Sequence, residues 1–254
     1  MTAEFQGPRT AIVTGGARRI GAELCRYLAR NGWNLLIHCF HSRDEGEKLA
    51  DELGNSRIVA LDLADVEAAA RIIAALDGLP PARLLVNNAS RFSFDSVDSF
   101  TPESWDAHQA TNLRAPALLS RAFADQLPAG EGGLIVNMLD AKLSHPNPDF
   151  FSYSLSKVGL AGLTELLARA YAWRGIRVCG IAPSVTLLSG AQGRENFDAV
   201  HRLNALGRGV TAEDIVRALQ FIIESPCLTG QTITIDAGQR FLGLPRDVQF
   251  LEQP

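Results

Sequence analysis

The stretch LIVNMLDAKLSHPNPDFFSYSLSKVGL, residues 134–160, decides which fold the chain can adopt. It begins with an apolar, β-branched run at residues 134–136, which two glycines precede, and this pattern predicts a buried strand. Pro148 and Asp149 are typical of a helix start, and small and apolar residues continue at helical spacing through Trp173. The stretch therefore predicts a buried strand followed by a long helix.

Tyr153 and Lys157 stand one turn apart on one face of that predicted helix. A phenol has a pKa of about 10, and a nearby ammonium favours the phenolate and lowers that pKa. The pair is therefore predicted to donate a proton near neutral pH. An ordinary exposed i,i+4 pair fits the same two residues, because a YxxxK match alone is common.

A glycine turn near the N-terminus indicates a dinucleotide. A strand predicted at residues 10–13 runs into TGGARRIG (residues 14–21), and a helix is predicted at residues 22–30. The N–H groups of a helix N-terminus can hold a pyrophosphate, and Gly15 lets the backbone approach it. Gly15 and Gly21 also fit simple turn and packing positions.

The end of the next strand, predicted at residues 34–38, lacks the acidic residue that would bind an unphosphorylated ribose. Four other residues are predicted to face the 2′-phosphate of NADP instead: Arg18, His41, Ser42 and Arg43. A solvated cation at a helix start is the alternative for Arg43. Ser42 and Glu45 are predicted to form a capping box at the start of the next helix. The first acidic residues after the strand, Asp44 and Glu45, are then first-turn residues of that helix rather than ligands of a ribose.

Strands and helices alternate along the rest of the chain. Further strands are predicted at residues 56–60, 83–86, 177–181 and 232–235, and further helices at 65–76, 102–126 and 212–224. This alternation predicts one α/β domain over residues 1–254, a doubly wound parallel sheet covered on both faces. The ligand is then expected beyond the carboxyl ends of the strands, with Asp62 at the adenine edge.

Composition narrows the classes of partner. The chain has 254 residues, a net charge of −4 and a pI near 5.8, which gives no reason to expect nucleic acid or an anionic membrane. Its four cysteines lack CxxC spacing and are predicted to be buried thiols of a reduced compartment. No segment has the pattern of a signal peptide, a membrane span or a metal site, so a cytoplasmic protein is expected.

The motifs TGGARRIG, NNAS (residues 87–90), Asn112, YxxxK and IAPS (residues 181–184) occur in one order. The chain from Thr10 to Gly238 therefore resembles the short-chain dehydrogenase/reductase family. That resemblance implies a seven-stranded Rossmann-type sheet, NADPH as cofactor and a homotetramer. It also implies that Tyr153 donates the proton, Lys157 binds the nicotinamide ribose, and Asn112 positions a water that relays protons to the lysine.

The chain departs from the common pattern of this family at three positions. With these departures it resembles the pteridine reductase branch, which includes bacterial dihydromonapterin reductases. Asp140 stands where the family has a catalytic serine, Arg19 replaces the middle glycine, and Phe92 follows NNAS. In that branch the aspartate acts with the tyrosine and lysine, the arginine reaches cofactor and substrate, and the aromatic ring stacks on the pterin. The predicted substrate-binding residues are Arg19, Ser90, Phe92, Asp140 and Tyr153. The predicted cofactor-binding residues are Gly15, Arg18, Arg19, Ile20, His41, Ser42, Arg43, Asp62, Leu63, Asn88, Ala89, Ser90, Tyr153, Lys157, Pro183 and Ser184.

The chemistry of Asp140 favours the same interpretation. A serine can donate a hydrogen bond to a ketone oxygen, whereas an ionised aspartate only accepts and suits a substrate with N–H donors. The sequence thus predicts an NADPH-dependent reductase that converts a 7,8-dihydropteridine to a tetrahydropteridine. The alternatives are a carbonyl or 3-oxoacyl thioester reductase and a non-catalytic NADPH-binding regulatory protein. For Asp140 alone, the alternative is a loop aspartate with the catalytic serine missing, which leaves a weakened enzyme or a non-catalytic protein; for Phe92 alone, it is a core position. Residues 184–209 are expected to cover the substrate, without a recognisable specificity pattern.

Overall fold

A computed structural model describes residues 5–128, 130–188 and 193–251. They form a seven-stranded parallel sheet in the order β3-β2-β1-β4-β5-β6-β7. The strands are β1 (Thr10–Val13), β2 (Asn34–Cys39), β3 (Ser56–Ala60), β4 (Ala82–Asn87), β5 (Gly133–Met138), β6 (Ile176–Pro183) and β7 (Thr232–Ile235). The helices are α1 (Arg19–Arg30), α2 (Arg43–Leu53), α3 (Ala68–Ala74), α4 (Pro102–Gln109), α5 (Ala115–Gln126), α6 (Phe151–Tyr171), α7 (Arg194–Val200) and α8 (Ala212–Glu224).

Both faces of the sheet are buried, which is why its strands are continuous apolar runs. Alternate strand residues point to opposite faces. One face packs mainly against α1 and α8, and its core includes Val13, Val86, Val136, Leu24, Leu28, Ile215 and Leu219. The other packs mainly against α3, α5 and α6, and its core includes Ile12, Leu85, Ile135, Ile72, Leu119, Phe123 and Ala168. The predicted doubly wound parallel sheet is confirmed.

Several helices differ from their predicted bounds. Helix α1 begins at Arg19 rather than at residue 22, and α3 is shorter than predicted. The helix predicted at residues 102–126 is interrupted by a π-helix, Ala110–Arg114, which separates α4 from α5. None of the described helices is long and apolar enough to cross a membrane.

Two predicted helix caps do not form, although Ser42 does stand at the N-cap of α2 with Asp44 and Glu45 in its first turn. Ser42 makes no side-chain cap at α2, because its backbone (φ −113°, ψ 45°) is not in the extended conformation that capping needs. Helix α6 begins after Phe150, which is left-handed (φ 54°), and Asp149 does not cap it. Instead, the start of α6 is capped by Asp95, a residue of the loop after β4. Its Oδ1 accepts a hydrogen bond from Ser152 N at 2.9 Å, and its backbone carbonyl accepts one from Phe151 N at 3.1 Å.

The cysteines are free thiols, but one differs from the prediction. Cys25, Cys39 and Cys179 are buried, whereas Cys227 is exposed. It follows Pro226 in the connection between α8 and β7, where the chain lies at the surface.

Candidate active site

A cavity of about 830 Å³ lies beyond the carboxyl ends of the strands. Every predicted cofactor-binding or substrate-binding residue except Arg43 lines it, and so do Asp140, Tyr153 and Lys157. Arg43 and Asn112 do not line it, although the sequence placed both in the site. The parallel sheet explains this convergence, because the ends of neighbouring parallel strands meet at one edge.

The turn after β1 requires its glycines. Gly15 is left-handed (φ +60°), and a Cβ there would lie 3.0 Å from the Ala89 Cα. A Cβ on Gly21 would lie 2.2 Å from the Gly15 carbonyl oxygen, which no side chain can accept. Asn88 holds the turn closed, because its Nδ2 donates to the carbonyls of Thr14 at 2.9 Å and Gly15 at 3.1 Å.

The start of α1 suits a pyrophosphate. Arg18, at the N-cap, forms no side-chain cap, and it lines the cavity together with Arg19 and Ile20. N–H groups at a helix N-terminus carry partial positive charge and favour phosphate oxygens. The residues present therefore fit a dinucleotide, with glycines where the backbone must approach it.

Arg19 occupies the position where the broad family has a glycine. Its φ of 56° is left-handed, a conformation that costs an L-residue about 1–2 kcal/mol and explains why glycine is common there. Its guanidinium crosses the cavity mouth: Nη1 donates to the Leu188 carbonyl and Nη2 to the Leu187 carbonyl at 3.4 Å. Arg19 thus links the cofactor turn to the segment after β6.

His38, a residue that sequence reasoning did not place in the site, supports the same turn. Its Nδ1 accepts a hydrogen bond from Gly15 N at 3.2 Å, and its Nε2 lies 3.0 Å from the Leu61 carbonyl. Because a carbonyl only accepts, Nε2 carries the proton and Nδ1 is free to accept. Burial lowers the pKa of His38 from 6.5 to about 4, so the ring is neutral at physiological pH.

The cavity end beside β2 carries one arginine. Arg18 lines the cavity there with His41 and Ser42, and its Nη1 lies 3.7 Å from Glu45 Oε1 across an exposed gap. Arg43 instead donates from Nε to Glu47 Oε1 at 2.8 Å on the outer surface of α2. In the structure, Arg43 is therefore a solvated cation at a helix start, which is the alternative given for it above.

Tyr153 and Lys157 are buried in the cavity wall, with 7% and 3% of their surfaces exposed, so they are not an ordinary exposed pair. The Tyr153 hydroxyl donates to Asp140 Oδ2 at 2.6 Å. Lys157 Nζ donates to the Met138 carbonyl at 2.7 Å and lies 5.6 Å from the centre of the Tyr153 ring. The second Asp140 oxygen, Oδ1, accepts from Lys142 N at 2.8 Å.

The predicted lowering of the Tyr153 pKa is wrong for this arrangement. Burial raises the pKa of Tyr153 well above its usual value, and the negative charge and hydrogen bond of Asp140 raise it further. Burial also lowers the pKa of Lys157 to about 8, which Asp140 partly opposes. The phenol therefore keeps its proton, and it shares that proton with a carboxylate.

Asn112 sits inside the π-helix and ties two elements together. Its Oδ1 accepts from Arg91 N at 2.7 Å, and its Nδ2 donates to the Arg91 carbonyl and to Ser156 Oγ, each at 3.0 Å. Ser156 precedes Lys157 on α6. Asn112 thus fixes the loop after β4 to the helix that carries Lys157, and its amide group is fully engaged.

Phe92 belongs to the cavity wall rather than to the core. It is half-buried and lines the cavity. Its ring stacks on Phe150 at 4.2 Å and 18°, and it meets the Tyr153 ring edge-on at 4.7 Å. An aromatic ring in the cavity wall therefore lies beside Tyr153.

Sequence reasoning missed the other wall of the cavity. Lys142 and His145 follow Asp140, and the C-terminal segment contributes Leu244 and residues 246–249. No local pattern marks this segment, because its place depends on the chain returning after β7. Of the predicted covering segment, residues 184–187 line the cavity, residues 193–209 do not, and residues 189–192 lie outside the described residues. The described residues contain no group of three or more His, Cys, Asp or Glu that could hold a metal ion.

Comparisons with known proteins identify the family of the chain. The family model described as short chain dehydrogenase matches residues 9–198. The chain is 32% identical to "Probable galactose dehydrogenase GalD" of Rhizobium meliloti (strain 1021), over 91% of this chain and 94% of the relative. It is 30% identical to D-threitol dehydrogenase of Mycolicibacterium smegmatis, over 91% and 92%. Among solved structures, FolM Alternative dihydrofolate reductase 1 from Brucella canis complexed with NADP is 39% identical, with a TM-score of 0.88 over 92% of this chain and 94% of that chain.

Proposed function

We propose that this chain, which belongs to the short-chain dehydrogenase family and is an NADP-dependent oxidoreductase, reduces a 7,8-dihydropteridine to its tetrahydro form. The observation that carries the proposal is the 2.6 Å hydrogen bond from the Tyr153 hydroxyl to Asp140, where the broad family has a serine. A carboxylate at this position would repel the negative charge that develops on a ketone oxygen. It suits a substrate whose reacting atom is a ring nitrogen and whose other edges carry N–H groups.

Two further residues support a flat heterocycle. Phe92 offers an aromatic ring beside Tyr153, and aromatic rings stack favourably on planar, electron-poor rings. Arg19 lines the same cavity from the cofactor turn and can donate to a carbonyl oxygen of the substrate. The likeness to FolM Alternative dihydrofolate reductase 1 points to the same class of substrate, since folates contain a pteridine ring.

The roles of the residues follow from their contacts. NADPH would be held by the Gly15 turn, the start of α1, Arg18 and Lys157, and when bound it supplies a hydride to the carbon of a ring C=N bond. Tyr153 is placed to give a proton to the nitrogen of that bond, so that C=N gains one hydride and one proton. Asp140 orients the hydroxyl by accepting its hydrogen bond. Asn112 acts through the loop after β4 and α6, as a positioning residue.

The test is a panel of substrates followed by NADPH oxidation. The pteridine arm contains dihydrobiopterin, dihydromonapterin and dihydrofolate, and the carbonyl arm contains simple ketones and acetoacetyl thioesters. Galactose and threitol with NADP⁺ form a third arm, because relatives of the chain carry those names. We expect kcat/KM to be highest in the pteridine arm by at least about tenfold. A higher kcat/KM for a ketone, thioester or polyol would refute the proposal, and NADPH binding without turnover in any arm would favour a regulatory protein.

We also propose a homotetramer in a reducing cytoplasm. Helix α6 carries exposed apolar side chains at Leu155, Val158 and Leu166, which suit a contact between copies. The thiols of the four cysteines are free, which suits a reducing compartment. Light scattering after gel filtration tests the assembly, and a monomer at micromolar concentration would contradict it.

A further inference from the structure

The C-terminal segment, residues 244–250, forms a wall of the cavity and is anchored to the start of α6. Arg246 Nε donates to both carboxylate oxygens of Asp149, at 3.0 and 2.8 Å, and Asp247 N donates to Asp149 Oδ2 at 2.7 Å. The Phe250 ring packs on Phe150 with centroids 5.8 Å apart. The charge-assisted contact from Arg246 Nε and the backbone donor of Asp247 together hold this segment on the Asp149 carboxylate. The wall is therefore held in a defined place relative to Tyr153, four residues after Asp149.

This anchoring places a second carboxylate in the cavity. The Asp247 side chain is 16% exposed and lines the cavity that holds Tyr153. Its Oδ1 accepts from Gln249 N at 3.1 Å, and its Oδ2 lies 3.5 Å from Lys142 Nζ. That ammonium also donates to the Asp149 carbonyl, so it is shared between two oxygens. Burial raises the pKa of Asp247, and Lys142 only partly offsets the effect. Asp247 therefore has unused capacity to accept hydrogen bonds.

Asp140 is less free to meet the substrate. One of its oxygens is engaged by the Tyr153 hydroxyl and the other by Lys142 N. A pterin carries a 2-amino group beside a ring N–H, two donors that match the two oxygens of a carboxylate. The site thus contains one carboxylate that is engaged with Tyr153, and a second one, Asp247, that contacts only Gln249 N and Lys142 Nζ and can accept further hydrogen bonds.

We propose that Asp247 is a specificity-determining residue, an inference that rests on the proposed function. Its carboxylate accepts hydrogen bonds from the N–H groups on the amino-substituted edge of the pteridine. Lys142 Nζ, 3.5 Å from Asp247 Oδ2, holds that carboxylate and favours its charged form against the effect of burial. Asp140 then serves proton transfer, and Asp247 serves recognition. A simple ketone offers no paired N–H donors, so the carboxylate would lose hydrogen bonds to water without gaining any from the substrate, which disfavours the binding of that ketone.

The test compares Asp247→Asn with Asp51→Asn, which changes an exposed carboxylate on α2 outside the cavity. Asparagine keeps the shape and the oxygen that accepts from Gln249 N, and the Arg246–Asp149 anchor is untouched. The substrates are dihydromonapterin and 6-methyl-7,8-dihydropterin, which has no side-chain hydroxyl groups. We expect Asp247→Asn to raise KM for both by roughly tenfold or more with kcat within about threefold, and Asp51→Asn to match wild type. The Kd for NADPH and the Tm should stay at wild-type values.

The outcomes separate this inference from the proposed function. A wild type that reduces both pterins, with an Asp247→Asn variant whose KM values stay within about twofold, would overturn the inference and leave the function standing. A loss confined to dihydromonapterin would also overturn it, because the contact would then be to hydroxyl groups. A fall in kcat with unchanged KM would assign Asp247 a structural role behind Tyr153. A wild type that reduces no dihydropteridine would refute the proposed function, and the inference with it.

Discussion

Replacing Asp140 with serine separates a pteridine reductase from a carbonyl reductase. Asp140 accepts two hydrogen bonds, from the Tyr153 hydroxyl at 2.6 Å and from Lys142 N at 2.8 Å. The second caps the short 3₁₀ helix Ala141–Ser144. Serine is a good cap, so Asp140→Ser should keep this turn and lower the free energy of unfolding by less than about 1 kcal/mol. The variant therefore removes a charge beside Tyr153 and leaves the fold in place.

The expected loss follows from that one contact. A hydrogen bond to a charged group contributes roughly 1.5–3 kcal/mol, which corresponds to about 10-fold to 150-fold in kcat/KM for the pteridine. Activity toward an activated ketone should hold or rise, because a hydroxyl can donate to the ketone oxygen. The pH profile gives a second measurement. The negative charge of Asp140 raises the pKa of Lys157, so its removal should move the alkaline limb of kcat/KM to a pH below about 8.

The assay measures kcat/KM for dihydromonapterin and an activated ketone, for wild type and Asp140→Ser, between pH 6 and 9. Thermal unfolding of both proteins controls for loss of structure. If the serine variant reduces the pteridine as well as wild type does, the charge of Asp140 has no part in turnover, and the carbonyl-reductase alternative moves ahead.

Three other changes test the remaining parts of the site. Tyr153→Phe should remove most turnover and leave the Kd for NADPH nearly unchanged, since the hydroxyl donates to Asp140; near-normal kcat would exclude it as proton donor. Arg18→Ala should raise KM for NADPH far more than KM for NADH, whereas Arg43→Ala should change neither, because Arg43 lies outside the cavity; the reverse result would show that Arg43 leaves Glu47 to bind the phosphate. The pKa of His38 is about 4 in the folded protein and 6.5 in the unfolded chain. Between these pH values the unfolded chain binds a proton at His38 and the folded protein does not, so the free energy of unfolding falls as the pH drops from 6.5 toward 4. Urea unfolding should show a loss of about 3 kcal/mol over that range from this residue, which His38→Gln should abolish; an unchanged pH dependence in the variant would contradict this.

The strands were predictable because burial on both faces of the sheet favours short, continuous apolar runs, which are easy to recognise in the sequence. The bounds of β1, β3 and β7 match their predictions, and β5 and β6 extend by one or two residues at their ends. The glycine turn and the Tyr153–Lys157 spacing are equally local, since neighbouring residues fix them. Local patterns thus sufficed for the sheet, for the glycine turn after β1 and for the placement of Tyr153 and Lys157 on one helix.

Contacts between distant parts of the chain were not predictable in this way. The cap of α6 is Asp95, which lies more than fifty residues before that helix. Asp149 forms an ion pair with Arg246, almost a hundred residues later in the chain. The error over the Tyr153 pKa has the same origin. The sequence pairs Tyr153 with Lys157, but the fold buries the hydroxyl, which raises the pKa of Tyr153, and brings Asp140 within hydrogen-bonding distance, which raises that pKa further.

The π-helix at Ala110–Arg114 restricts how the length of this chain can change. An α-helix turns by about 100° per residue, so removing one residue here would rotate α4 by roughly that angle relative to α5. The two helices have different partners, since α4 packs on α6 and α5 packs on α3. A deletion would therefore turn one of the two faces away from its partner and carry Asn112 away from Arg91. Substitutions in this segment should be tolerated more readily than a change in its number of residues, so its length is under stronger constraint than most of its composition.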